Sequence, residues 1–67
     1  MNGYTDTLGR TVRDNLILAR DFSVLAGQYE LELAYLPHAA ITAQHARSEA
    51  RYAMQRCRSI IARRFEA

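Results

Sequence analysis

The sequence predicts an all-α protein: a helical hairpin of two long antiparallel helices that turns near Pro37 and assembles into a homo-oligomeric bundle. Three observations carry that expectation. Apolar and small residues recur at alternating spacings of four and three in both halves of the chain, which is the rhythm of a helix and not of a strand. A single proline, Pro37, stands near the middle as the only strong breaker. The first half carries more apolar surface than one packed seam can cover.

The first arm has a seam of Leu8, Val12, Asn15, Ala19, Phe22, Ala26, Tyr29 and Leu33. Thr5 or Thr7 offers a cap, and Asp6 is favourable in the first turn. Asn15 is then a polar core residue, of the kind that fixes register at some cost in stability. Asp14 with Arg10 reads as an ion pair on the helix surface. Leu16-Ile17-Leu18 and Val24-Leu25-Ala26 spread apolar groups over more than half of the circumference. Such a helix needs more than one neighbour. The hairpin supplies one, so the others must come from further copies of the chain. Gly27 is an alternative end for this arm, because residues 29–35 alternate apolar and polar like a strand. A continuous or kinked helix is the preferred reading, with Gly27 costing roughly 1 kcal/mol relative to Ala.

Leu36-Pro37-His38 is the expected turn, since proline also suits the first turn of a following helix. The second arm has a seam of Ala39, Ala43, Ala46, Ala50, Ala53, Cys57 and Ile60, with Met54, Ile61 and Phe65 widening it on one flank. Helix formers dominate this arm. Small seam residues let two helices approach closely, which favours antiparallel packing.

Length sharpens the case for an oligomer. One domain, residues 1–67, buries only about 60% of the surface that its unfolded chain exposes, and small scaffolds usually add a disulfide, a metal or a partner chain. With one cysteine, Cys57, no internal disulfide forms. No Cys and His cluster has structural-zinc spacing. The apolar fraction of 49% is ordinary for a globular domain. No run approaches the roughly 20 apolar residues of a membrane span. The segment from Met1 to Asp6 lacks the basic start and apolar stretch of a signal peptide. A reducing, cytoplasmic compartment is the expectation. No phosphate loop, nucleophile elbow or metal signature is present in the sequence, so neither an enzyme nor a cofactor is expected.

Charge is uneven. Residues 1–36 hold three Arg against five carboxylates, net −2, and residues 37–67 hold six Arg against two, net +4. All nine basic residues are Arg. Codon bias accounts for such a composition, and so does anion recognition, because guanidinium forks match phosphate and stack on flat rings. Arg47, Arg51 and Arg58 project on one side of the second arm beside Gln44 and Gln55. Arg56 and Arg63 project on another, with Arg64 near the end. Such a ridge suits a ligand with several phosphates or a nucleic-acid backbone, and equally a solvated face. Arg47 and Arg51 are like charges at i,i+4, which mildly disfavours the helix unless something answers them.

Among the tyrosines, Tyr29 falls on the seam and reads as core. Tyr4 is unexplained by the seam and is the better candidate to stack on a base, with Tyr52 intermediate. His38 and His45 lie about 10 Å apart by helix rise, too far to share a metal without a third group. Cys57 reads as a small buried thiol.

Two resemblances add to this reading. The alanine-seamed hairpin, and the tail Cys57-Arg58-Ser59-Ile60-Ile61-Ala62-Arg63-Arg64-Phe65, resemble Rop-like RNA-binding hairpins, which implies a basic helix face that binds paired RNA loops. Gly3-Tyr4, Arg20, and Arg56 or Arg58 are similar in placement to residues of small phage hairpin proteins that sequester cyclic oligonucleotide signals (sponges of the anti-CBASS type). That family's basic residue is a Lys, and this chain has none. The resemblance implies Tyr4 stacking on a base and Arg side chains holding phosphates at subunit junctions. The leading expectation is a small regulatory or inhibitory binder of an anionic nucleotide, with Tyr4, Arg20, Arg47, Arg51, Arg56 and Arg58 as its site. The alternatives are a protein-interaction inhibitor or adaptor docking through the first helix, and a Rop-like RNA- or DNA-binding hairpin.

Overall fold

A computed structural model describes residues 4–66 as two α-helices, α1 (Val12–Glu30) and α2 (Ala39–Glu66). They run antiparallel. The Sγ of Cys57 lies 3.6 Å from the Val12 carbonyl at one end of the pair, and Arg47 reaches Glu30 at the other. The molecule is a rod of 49 × 16 × 15 Å, one helix pair thick. Among the described residues the only strand-like pairing is an isolated bridge between Thr5 and Thr11. No helix among them is long and apolar enough to cross a membrane.

Every residue of the expected α2 seam is buried: Ala39, Ala43, Ala46, Ala50, Ala53, Cys57 and Ile60. Opposite them α1 buries Asn15, Ala19 and Ala26 fully, and Val12, Phe22 and Tyr29 in half. Each alanine removes little apolar area from water, so the seam stabilises chiefly by letting the backbones approach and make many dispersion contacts. Ile60 is the largest fully buried apolar side chain. Cys57 is a free thiol inside this seam. Leu16, Ile17 and Val24 remain exposed on α1, as do Met54, Ile61 and Phe65 on α2, which flank the seam without joining it.

The start of α1 differs from expectation. Its N-cap is Thr11, not Thr5 or Thr7. The Thr11 hydroxyl accepts from the Asp14 N–H at 3.2 Å, and the Asp14 carboxylate accepts from the Thr11 N–H at 3.0 Å, closing a capping box. Asp14 is thereby committed, and Arg10 pairs with Asp6 at 2.8 Å instead of with Asp14. Asp6 sits ahead of the helix in a turn. Its N–H donates to the Arg10 carbonyl at 2.8 Å, and Gly9 supplies the left-handed backbone (φ 77°) that the turn needs. Leu8 projects from this turn into solvent and is not part of the seam.

The end of α1 differs too. The helix passes through Gly27 and stops at Glu30. Residues 31–35 form turns, neither the strand that their alternation resembles nor a continuation of the helix. The reversal is held by backbone bonds, Leu33 N–H to Gln28 at 2.8 Å and Leu36 N–H to Leu33 at 3.0 Å, with Leu33 and Leu36 half-buried. After Pro37, His38 adopts a left-handed φ of 64°. The Thr42 N–H donates to its carbonyl at 2.9 Å, which opens α2.

Candidate anion-binding groove

Along one flank of the seam the two helices leave a groove of about 740 Å³. Leu16 and Ala19 of α1, with Ala50 and Met54 of α2, supply its apolar floor, and Arg20, Arg47, Arg51 and Arg58 are its basic groups. The helical spacing of 47, 51 and 58 puts three guanidiniums on one side of α2. The antiparallel packing then brings Arg20 of α1 to the same groove. Arg51 and Arg58 are two turns apart, about 10 Å along the axis.

These four are not equally available. Arg47 is held in a two-point fork by Glu30: its Nε donates to Oε2 at 2.9 Å and its Nη2 to Oε1. The hydrogen bond from Arg47 holds the Glu30 carboxyl below its usual value against a smaller opposing effect of desolvation. The same bond raises Arg47 further above its already high value. Glu30 thus answers the like-charge pair of Arg47 and Arg51 from across the hairpin. Arg20 meets Asp21 at 3.3 Å, but both are well exposed and the pair is weak. Arg51 and Arg58 have no ion pair among the described residues. Arg51 reaches only the Ser48 hydroxyl, at 3.5 Å.

Arg56 and Tyr4 do not belong to this groove. The Nε of Arg56 donates to the Asn15 Oδ1 at 2.7 Å and lies 3.7 Å from an Asp6 oxygen, which makes Arg56 part of the joint between α2 and the N-terminal turn. Tyr4 lies under the Arg64 guanidinium, 4.8 Å from ring centroid to Cζ, near the end of α2. Spacing separates Arg56 from Arg58, since two positions on a helix turn the side chain to another flank. Gly3, the other half of the Gly3-Tyr4 pair, lies outside the described residues.

The most connected polar group is one that the sequence reading placed in a helix turn. Asp6 is buried, with 6% exposure. Its Oδ1 accepts from the Leu8 and Arg10 N–H groups at 2.9 Å each, and its Oδ2 from the Arg10 Nε at 2.8 Å and the Asn15 amide at 3.1 Å. Burial pushes its carboxyl up, but these hydrogen bonds together outweigh it and hold Asp6 well below the usual carboxylate range. A signal was present: Asp6 followed by Gly9 fits a type I turn, with Asp first and Gly fourth. The remaining candidates are structural or unengaged. His38 is committed to the turn, Tyr29 is half-buried in the seam, and no group of three His, Cys, Asp or Glu among the described residues is placed to hold a metal. No family model, no curated protein and no solved structure matches this chain.

Proposed function

We propose that this is a small, non-enzymatic regulatory or inhibitory protein that sequesters an anionic nucleotide in the groove between α1 and α2, in the manner of phage accessory proteins acting in the host cytoplasm. The observation that carries the reading is the convergence of Arg20, Arg51 and Arg58 from two helices on a groove with an apolar floor. Guanidinium forks bind phosphate oxygens. The Leu16 and Met54 side chains offer a polarizable surface for the flat face of a base. Tyr4 is not part of the site within one chain.

The reading includes a homo-oligomer. Ile17 and Val24 on the outside of α1, and Leu31 at its C-cap, recur every seven residues and are all exposed. An apolar stripe of that kind is the usual mark of a contact surface.

Equilibrium titration with ATP and with a 5′-phosphorylated adenine dinucleotide tests the site. The double variant Arg51→Ala, Arg58→Ala should weaken binding by on the order of tenfold or more. Arg13→Ala, which removes an exposed Arg outside the groove, should leave it unchanged. Equal losses in both, or no saturable binding by the parent protein, would overturn the reading. Native mass spectrometry of the same samples reports the subunit number, and a monomer at micromolar concentration would remove the oligomer from it.

A second reading uses the same α1 stripe to dock on a protein partner. It gains support if Ile17→Asp with Val24→Asp abolishes the biological effect while nucleotide binding persists. A Rop-like RNA role requires binding that falls steeply with salt.

A further inference from the structure

We infer that a second cavity, on the opposite flank of α2 from the groove, is a binding site for a phosphate-class oxyanion. It has a volume of about 460 Å³ and lies between the N-terminal turn and α2, lined by Asp6, Thr7, Arg56, Ser59, Ala62 and Arg63. The site goes beyond the nucleotide groove and shares no residue with it.

Among the described residues Asp6 is the only carboxylate lining the cavity, and both of its oxygens are already saturated by Leu8, Arg10 and Asn15. Arg10 and Arg56 share the single charge of Asp6, at 2.8 and 3.7 Å, so with Arg63 three guanidiniums stand against one carboxylate and positive charge is left in excess among the described residues. Arg56 commits its Nε to Asn15, while its two terminal nitrogens have no hydrogen bond among the described residues.

Arg63 is the sharper observation. One of its terminal nitrogens donates to the Thr5 carbonyl at 2.7 Å. Its Nε is buried and has no hydrogen-bond partner among the described residues. A buried donor without an acceptor is costly, and native structures rarely leave a guanidinium in that condition unless water or an ion completes it. The hydroxyls of Thr7 and Ser59 line the same cavity and have no hydrogen bond among the described residues. Two guanidiniums and two hydroxyls, all donors, surround one space.

A tetrahedral oxyanion fits that set. Its oxygens accept from the free terminal nitrogens of both Arg side chains and from the hydroxyls. A chloride ion can take charge but cannot use the forks. Bound there, the anion ties the N-terminal turn through Thr7 to the last turns of α2 through Ser59 and Arg63. It therefore binds the folded protein alone and stabilises it by mass action.

The test uses the full chain and inorganic phosphate, titrated at constant ionic strength against sodium chloride. Melting temperature and backbone amide shifts are the readouts. The parent protein should show saturable shifts at Thr7, Ser59 and Arg63 and a rise in melting temperature. Arg63→Gln should weaken phosphate binding by on the order of tenfold, and Arg13→Gln, at an exposed Arg that lines neither cavity, should leave it unchanged. If Arg63→Gln does not fold, Thr7→Val and Ser59→Ala carry the same test with smaller losses. Ribose 5-phosphate in place of phosphate separates the two sources of this chemistry: tighter binding assigns the site to the phosphoryl end of a larger molecule, and equal or weaker binding to the free ion. Shifts confined to the groove around Arg51 and Arg58, or stabilisation that is the same in Arg63→Gln as in the parent, would overturn the assignment. Failure of nucleotide binding in the groove leaves it standing, because the variants that weaken the two sites do not overlap.

Discussion

The two ends of the hairpin are closed by different physics. At the terminal end, the turn over residues 5–11 is fastened to α2 by buried and half-buried polar groups: Asp6, Asn15 and Arg56 in one network, and Arg63 on the Thr5 carbonyl. At the loop end, residues 31–38 reverse the chain with backbone bonds and two half-buried leucines, while Leu31 and Tyr35 stand in solvent. A buried network stabilises only if every member is satisfied. A solvated turn tolerates the loss of any one group. The terminal end should therefore be rigid and brittle, and the loop end forgiving.

The largest effect expected from that contrast comes from Asn15→Ala. It removes a donor to Asp6 and the acceptor of Arg56 from a fully buried position. The loss should be roughly 3 kcal/mol, because charged partners are left unpaired. In a chain this small that is most of the stability, and urea denaturation measures it. A loss under about 0.5 kcal/mol, the scale of an ordinary surface change, would mean that the network does not hold the end.

Acid should act next, and at the same end. The folded state holds Asp6 below its unfolded value. Its ionised form therefore contributes stability that is complete above the unfolded value near pH 4 and is lost as pH falls through the folded one. Melting temperature should stay flat from neutral to about pH 5 and drop below about pH 4. Asp6→Asn should melt lower and lose that slope. Glu30 is shifted in the same direction, but it is exposed at the loop end. Glu30→Gln should cost little, and that little should vanish in high salt.

Two smaller effects have the opposite sign. Gly27 lies inside α1 with open space where a Cβ would stand. Gly27→Ala should raise stability by about 1 kcal/mol. His38 is a non-glycine residue with a left-handed backbone. His38→Gly should relieve strain and gain about 0.5 kcal/mol after the added freedom of the unfolded chain is counted. Destabilisation by His38→Gly would show that the imidazole fastens the loop and that this end, too, depends on single side chains.

The same contrast explains what was legible in the sequence. The α2 seam could be read residue by residue because its spacing depends only on helix geometry, and all seven positions are buried. The α1 seam could be read from Val12 to Tyr29, and Leu33 falls in the turn beyond the helix. Leu8 failed because three threonines, at 5, 7 and 11, are all able to cap, and only Thr11 has an Asp three positions later to complete the box. The Asp6 network joins residues 9 and 41 positions apart, which no local pattern reveals. The groove was half legible. Spacing grouped Arg47, Arg51 and Arg58, but the flank of α1 that faces them follows from how the helices pack.

Cys57 gives the hairpin a clock of its own. It is the only thiol in the chain, and α1 covers it. An alkylating reagent reaches it only when the helices part. At low reagent concentration the labelling rate follows the equilibrium population of the open form, and at high concentration it levels off at the opening rate itself. A single mass shift, followed in time, would report how often this rod unzips and whether an occupied anion site holds it shut.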